Sequence, residues 1–110
     1  MAKAIYYQQG ESLDYVNSGS AAIEANTILV FGTKIGVAGC DIPAGETGSI
    51  HVRGVFKLPI SGEAITAGAA VYWDDTNGVA TATSSGNTLA GYAAAAAADT
   101  DTTILVNINA

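Results

Sequence analysis

Val71-Tyr72-Trp73-Asp74-Asp75-Thr76-Asn77-Gly78-Val79-Ala80 is the stretch that decides the fold class. Two apolar runs flank a short polar segment, and Asn77-Gly78 supplies the residue types that a tight turn with positive φ demands. The stretch reads as a β-hairpin. Working outward, Ile104, Val106 and Ile108 alternate with Leu105, Asn107 and Asn109, and Ile50 and Val52 alternate with His51 and Arg53. A period of two gives a strand one apolar face and one polar face. No window repeats apolar residues at helical spacing for three turns, and short runs broken by Gly, Asn and Asp dominate.

The reading is an all-β domain, a small compact barrel or sandwich with short turns and little or no helix. Strands are expected near Ile5–Gln8, Leu13–Val16, Thr27–Phe31, Gly36–Ala38, Ser49–Leu58, Ala70–Trp73, Val79–Thr83, Leu89–Ala96 and Thr103–Ile108. The alanine run Ala93–Ala98 is expected to be a strand in a crowded place, with a short helical turn as the alternative, since alanine is the best helix former. A faint repeat appears at a shift of 42: Ala22, Ile23, Ala25, Gly36, Val37 and Ala38 fall on Ala64, Ile65, Ala67, Gly78, Val79 and Ala80. The motif Ile-x-Ala-Gly occurs at Ile42–Gly45 and Ile65–Gly68, with Ile23–Asn26 a variant in which Asn stands in for Gly at positive φ. Two similar β-units in one barrel are expected, rather than a solenoid.

The chain has 110 residues, a length that points to one domain over 1–110, with residues 1–16 as an arm or a first strand. Only 13% of residues are charged, and the net charge is −6. The four cations, Lys3, Lys34, Arg53 and Lys57, are scattered in sequence, so phosphate neutralisation, and with it nucleic-acid binding, is not expected. Hydrophobic residues make up 49%, much of it alanine, so the monomer core is modest and oligomer contacts would add stability. Cys40 is the sole cysteine, which excludes an intrachain disulfide. The N-terminus carries no apolar run of signal length, and no stretch is long enough to span a bilayer. A protein made in the cytoplasm, with no membrane partner, is expected.

Motifs that carry chemistry are missing. Gly32-Thr33-Lys34 is the nearest fragment of a phosphate-binding loop and lacks the rest of it. Cys40 and His51 are the residue types of a nucleophile and base, but Cys40 reads better as a small buried hydrophobe and His51 as a surface or interface residue. Asp74, Asp75 and Asn77 resemble part of a calcium loop, yet the twelfth position holds Ser85 rather than Glu. Asp99 and Asp101 form a second acidic turn. No catalytic residue, cofactor or metal is expected. Tyr6, Tyr7, Tyr15, Tyr72, Trp73 and Tyr92 read as core or interface anchors.

The order of motifs resembles a known family. Ala4-Ile5-Tyr6-Tyr7-Gln8-Gln9-Gly10 is followed by Leu13-Asp14-Tyr15, Ile35-Gly36-Val37-Ala38, Asp41-Ile42-Pro43-Ala44-Gly45, Gly54-Val55-Phe56, Ile65-Thr66-Ala67-Gly68 and Val71-Tyr72-Trp73-Asp74. This order resembles a bacteriophage capsid cement, or decoration, family, sometimes mislabelled as a phage recombinase. The likeness covers nearly the whole chain, and the Gly-Val-Phe and Val-Tyr-Trp-Asp elements are its most specific parts. Asn17-Ser18-Gly19-Ser20 departs from it where Thr-Pro is common. The later half is also loosely similar to the lambda-type head decoration proteins.

The resemblance implies a small β-barrel protein that binds the outside of an icosahedral head as a homotrimer, with the major capsid protein and itself as partners and the capsid exterior of the virion as its location. A cement needs shape and apolar contact across subunit boundaries, because it stabilises by binding only the assembled state. Lys3, Ile5, Tyr6, Tyr7 and Gln8 are the candidate capsid contacts. Phe56, Tyr72, Trp73 and Tyr92 are the candidate core or trimer-interface residues. The alternative is a phage-surface carbohydrate- or receptor-binding β-module, for which the turn Trp73–Asn77 is the one candidate site. A small hydrolase is a third class, without any residue arrangement to carry it.

Overall fold

The computed structural model describes every residue except Met1, Tyr7 and Gln9. Among the described residues there are nine strands and no helix. The smaller sheet contains β1 (Ser12–Val16), β2 (Ile28–Phe31), β3 (Lys34–Ala38) and β4 (Thr47–His51), in the order β1-β4-β3-β2. The larger contains β5 (Gly54–Pro59), β6 (Ala70–Asp74), β7 (Val79–Thr81), β8 (Thr88–Ala93) and β9 (Thr103–Ile108), in the order β5-β9-β8-β6-β7. All strand pairs within both sheets are antiparallel. The all-β, sandwich-like architecture expected from the alternation is the one observed.

Strand β3 explains how so small a chain builds two layers of core. Its residues Ile35 and Val37 point into a main core with Leu58, Val71, Trp73, Ile104, Val106 and Ile108. Ala38, on the opposite face, joins a second cluster with Ile42, Ile50 and Val52. Gly36 shares that second face, where an added Cβ would lie 2.8 Å from Ile50 Cδ1. The strand is thus apolar on both sides and serves as the wall between the clusters. Its run Ile35–Ala38 shows no alternation in burial for that reason.

Three expectations need correction. The predicted strand Ser49–Leu58 is two strands in different sheets, with a corner at Val52-Arg53. Gly54, at φ 119°, lets the chain turn out of the first sheet. Residues 50, 52, 56, 58 and 60 face inward on both sides of that corner, so side-chain alternation carries no trace of it. No described residue of the predicted strand Ile5–Gln8 lies in a strand, and Tyr7 is outside the described residues. The alanine run is neither strand nor helical turn beyond Ala93: it bends away, pairs Ala97 with Ile65, and ends where the Asp101 carboxylate accepts the Ala98 N–H at 2.8 Å.

The repeat takes a definite physical form. Ile23 exchanges backbone hydrogen bonds with Ile42, and Ile65 with Ala97. Each of the four is followed by a turn closed by an i to i+3 bond, from Thr27, Glu46, Ala69 and Asp101 back to Glu24, Pro43, Thr66 and Ala98. Asn26, Gly45 and Gly68 hold positive φ in the first three turns, as the Ile-x-Ala-Gly motif predicts. Each of these three donates its N–H, at 2.7 Å, to the carbonyl of Ala38, Asn17 or Ala93 respectively. The N–H groups of Ala38, Asn17 and Ala93 return bonds to Thr27, Glu46 and Ala69. The hairpins that follow the first and third turns, β2–β3 and β6–β7, are the two similar units, one in each sheet.

Candidate interaction surfaces

The described part of residues 2–8 contributes to neither core. Lys3, Ile5, Tyr6 and Gln8 are all exposed, and Ile5 and Tyr6 are 91% and 79% accessible. Exposure of that size for two adjacent large apolar residues leaves them unpartnered within the domain. Phe56 and Trp73 fall on the inward faces of β5 and β6. Phe56 is half-buried against the main core with its ring 5.8 Å from that of His51. Trp73 is 5% accessible and donates its indole N–H to Asp75 Oδ1 at 3.1 Å. Tyr72 and Tyr92, by contrast, lie on the outward face of the larger sheet.

That outward face carries few charges, Lys57 on β5 and Asp74 at the end of β6 among them. One cross-strand row runs Val55, Asn107, Tyr92, Ala70 through β5, β9, β8 and β6. Lys57 opposite Leu105, and Leu89 opposite Tyr72, extend it on either side. Val55, Leu89, Tyr92 and Leu105 are exposed, and Lys57 is the single charge among these residues. The face depends on a register shift between Val71 and Tyr72, where β8 spends an extra residue. The shift puts Leu89 and Tyr92, three apart, on the same side. Gly91 makes it feasible: it sits at φ 152°, and a Cβ there would lie 2.0 Å from the Asn107 carbonyl oxygen. The Asn107 amide then donates to the Tyr92 hydroxyl at 2.9 Å, fixing the ring on the surface.

The candidate nucleophile and base belong to one corner of the smaller sheet, where the His51 ring lies beside Gly39, the chain neighbour of Cys40. Cys40 is exposed, which corrects its expected burial: it occupies the turn after β3, where the chain has left the sheet. His51 is exposed on β4, and its Nδ1 lies 3.4 Å from Ser12 Oγ. Among the described residues no group of three or more His, Cys, Asp or Glu is placed to hold a metal ion. The Asp74 carboxylate accepts from both the side chain and the backbone of Asn77, so it closes its own turn. Those bonds hold its pKa below the ordinary carboxylate value. No described helix is long and apolar enough to cross a membrane.

The comparison with known families gives these surfaces a context. A family model described as phage cement protein matches residues 7–108. The chain belongs to the phage cement family. No curated protein and no solved structure matches it. Membership gives the chain a phage capsid-associated role and places it on the virion capsid, in a structural family not known for catalysis. For a cement protein the exposed arm and the low-charge sheet face are the relevant geometry. The turn Trp73–Asn77, the candidate site of a glycan-binding module, keeps its only aromatic in the core.

One surface was not legible in the sequence of this cement protein. Leu13, Phe31, Val52 and Gly10 line a recess of about 250 Å³ together with Lys34 and Arg53. Two of the four cations, 19 positions apart in sequence, therefore meet at one place. β2–β3 brings Phe31 opposite Lys34, and the corner after β4 delivers Val52 and Arg53. Asn109, the remaining lining residue, clamps the two sides. Its amide nitrogen donates to the carbonyls of Ile35 at 2.8 Å and Val52 at 2.9 Å.

Proposed function

We propose that this cement protein binds the outer surface of an assembled phage head and stabilises it, acting as one domain over residues 1–110. The segment before β1 makes the contact with the major capsid protein. The outward face of the larger sheet, with Tyr72, Tyr92, Val55 and Leu105, joins copies into a homotrimer. The observation that carries this reading is the arm. Ile5 and Tyr6 expose apolar surface on residues that belong to no strand of their own domain. An extended segment of this kind can add to a strand edge of the shell, its backbone giving affinity and alternate side chains giving specificity.

Stabilisation follows from mass action: a ligand of the assembled shell alone shifts the balance between intact and broken heads. Deleting residues 2–9 tests the reading. The truncated protein is expected to melt as the full chain does and to lose binding to expanded heads that lack it. Undiminished binding would move the contact to the loops Asp41–Gly48 and Ser84–Asn87. Unfolding would make the arm part of the core.

A further inference from the structure

We propose that the recess between Lys34 and Arg53 is a second docking site for the capsid protein, one that takes an acidic peptide segment with an apolar or aromatic residue beside its carboxylate. This rests on the cement reading for the identity of the partner, but its chemistry is argued from the recess itself. The floor is apolar, formed by Leu13, Phe31 and Val52, and no acidic residue is among the lining. The rim carries two cations in a chain whose net charge is −6. Its local charge is therefore opposite to that of the molecule, which steers a negative group to this spot and repels it elsewhere. Arg53 can grip a carboxylate with two parallel N–H bonds, while Lys34 adds a point charge.

Preorganisation argues the same way. The carbonyls that Asn109 ties together belong to Ile35 and Val52, the chain neighbours of Lys34 and Arg53. The backbone of both cations is thus fixed before any partner arrives, which lowers the ordering cost of binding. A recess of about 250 Å³ is the size of one large side chain rather than of a cofactor. Gly10, which precedes β1 closely in sequence, is among the lining, so the recess adjoins the N-terminal side of the first strand.

The test uses two probes on the whole protein and on the double variant Lys34→Gln, Arg53→Gln. Both side chains are exposed, so the variant is expected to keep the wild-type melting temperature. On expanded heads lacking the protein, the variant should bind about tenfold more weakly, with less sensitivity to salt. In NMR titrations, acetyl-Phe-Asp-amide should shift the amides of Leu13, Phe31, Lys34 and Arg53, acetyl-Phe-Lys-amide should not, and the variant should respond to neither. If the wild type binds heads and the variant binds them equally well, the docking site is overturned while the cement reading stands. If the wild type does not bind heads, the cement reading fails, and the peptide titration alone decides whether the recess selects carboxylates. Equal shifts with both peptides, or stronger shifts with a short duplex DNA, overturn the acidic-peptide assignment.

Discussion

Asn109 does more for this fold than its place just after β9 suggests. It adopts φ 57°, and besides the two carbonyls it reaches, its Oδ1 accepts the Ile35 N–H at 3.3 Å. One side chain thus joins the end of β9 in the larger sheet to β3 and to the corner after β4. Asn109→Gly keeps the backbone geometry and removes the bonds, and is expected to cost about 1–3 kcal/mol in urea unfolding. Asn109→Ala adds the left-handed penalty of a Cβ, about 1–2 kcal/mol more. Trp73→Ala removes the largest side chain of the main core and should cost about 3–5 kcal/mol. An unchanged midpoint would put Trp73 outside the core. Asp74 gives a pH signature. Because its folded pKa is lowered, its contribution is fully present above 3.8 and is lost as pH falls through the folded value. The Asn77 amide resonance should titrate below 3.8, and Asp74→Asn should abolish that titration.

At the scale of elements, the bridge–turn units make the sharpest prediction. Gly68 has φ 84° and no atom within 4 Å of an added Cβ, so its constraint is conformational rather than steric. Gly68→Ala should cost about 1–2 kcal/mol. Gly68→Asn should cost clearly less, since Asn26 fills the same role in the first unit. Equal costs would mean that the turn does not need positive φ. These units also show what a sequence reveals. Ile-x-Ala-Gly is legible because the turn chemistry and the apolar anchor are written in residue types. The fourth unit, Ala97–Thr100, is hidden because Ala replaces the anchor and an aspartate bond to Ala98 replaces the glycine. The β6–β7 hairpin and β9 are readable from period and turn residues. The corner at Val52-Arg53 is not, since inward residues keep even numbers on both sides of it. The arm looked like a strand because Ile5-Tyr6-Tyr7 has strand composition, and composition does not say whether a partner strand exists. The meeting of Lys34 with Arg53, like the sheet face around Tyr92, is a product of topology and leaves no local trace.

The whole molecule is broad and thin, 44 × 41 × 22 Å, with a radius of gyration of 15.1 Å where about 13 Å is usual for this length. Its accessible surface of 6750 Å² exceeds the roughly 5,600 Å² expected for its mass. A slab with excess surface suits a protein that completes itself by contact with others. Val55→Glu with Leu105→Glu should leave the monomer fold intact, because both side chains are exposed, and should abolish self-association in light scattering of the free protein or trimer density on heads. Trimers that survive both charges would place the subunit contact on another face.

The even-numbered phase that runs through the corner from Ile50 to Ile60 bears on how this lineage can change length. One residue inserted between Val52 and Gly54 would exchange the two faces of β5, turning Phe56 and Leu58 to solvent and Val55 and Lys57 into the core. Two residues would restore the phase and lengthen only the bend. Related sequences should therefore differ at this corner by even steps or not at all, and indels of odd size should gather instead at the tips of the hairpins.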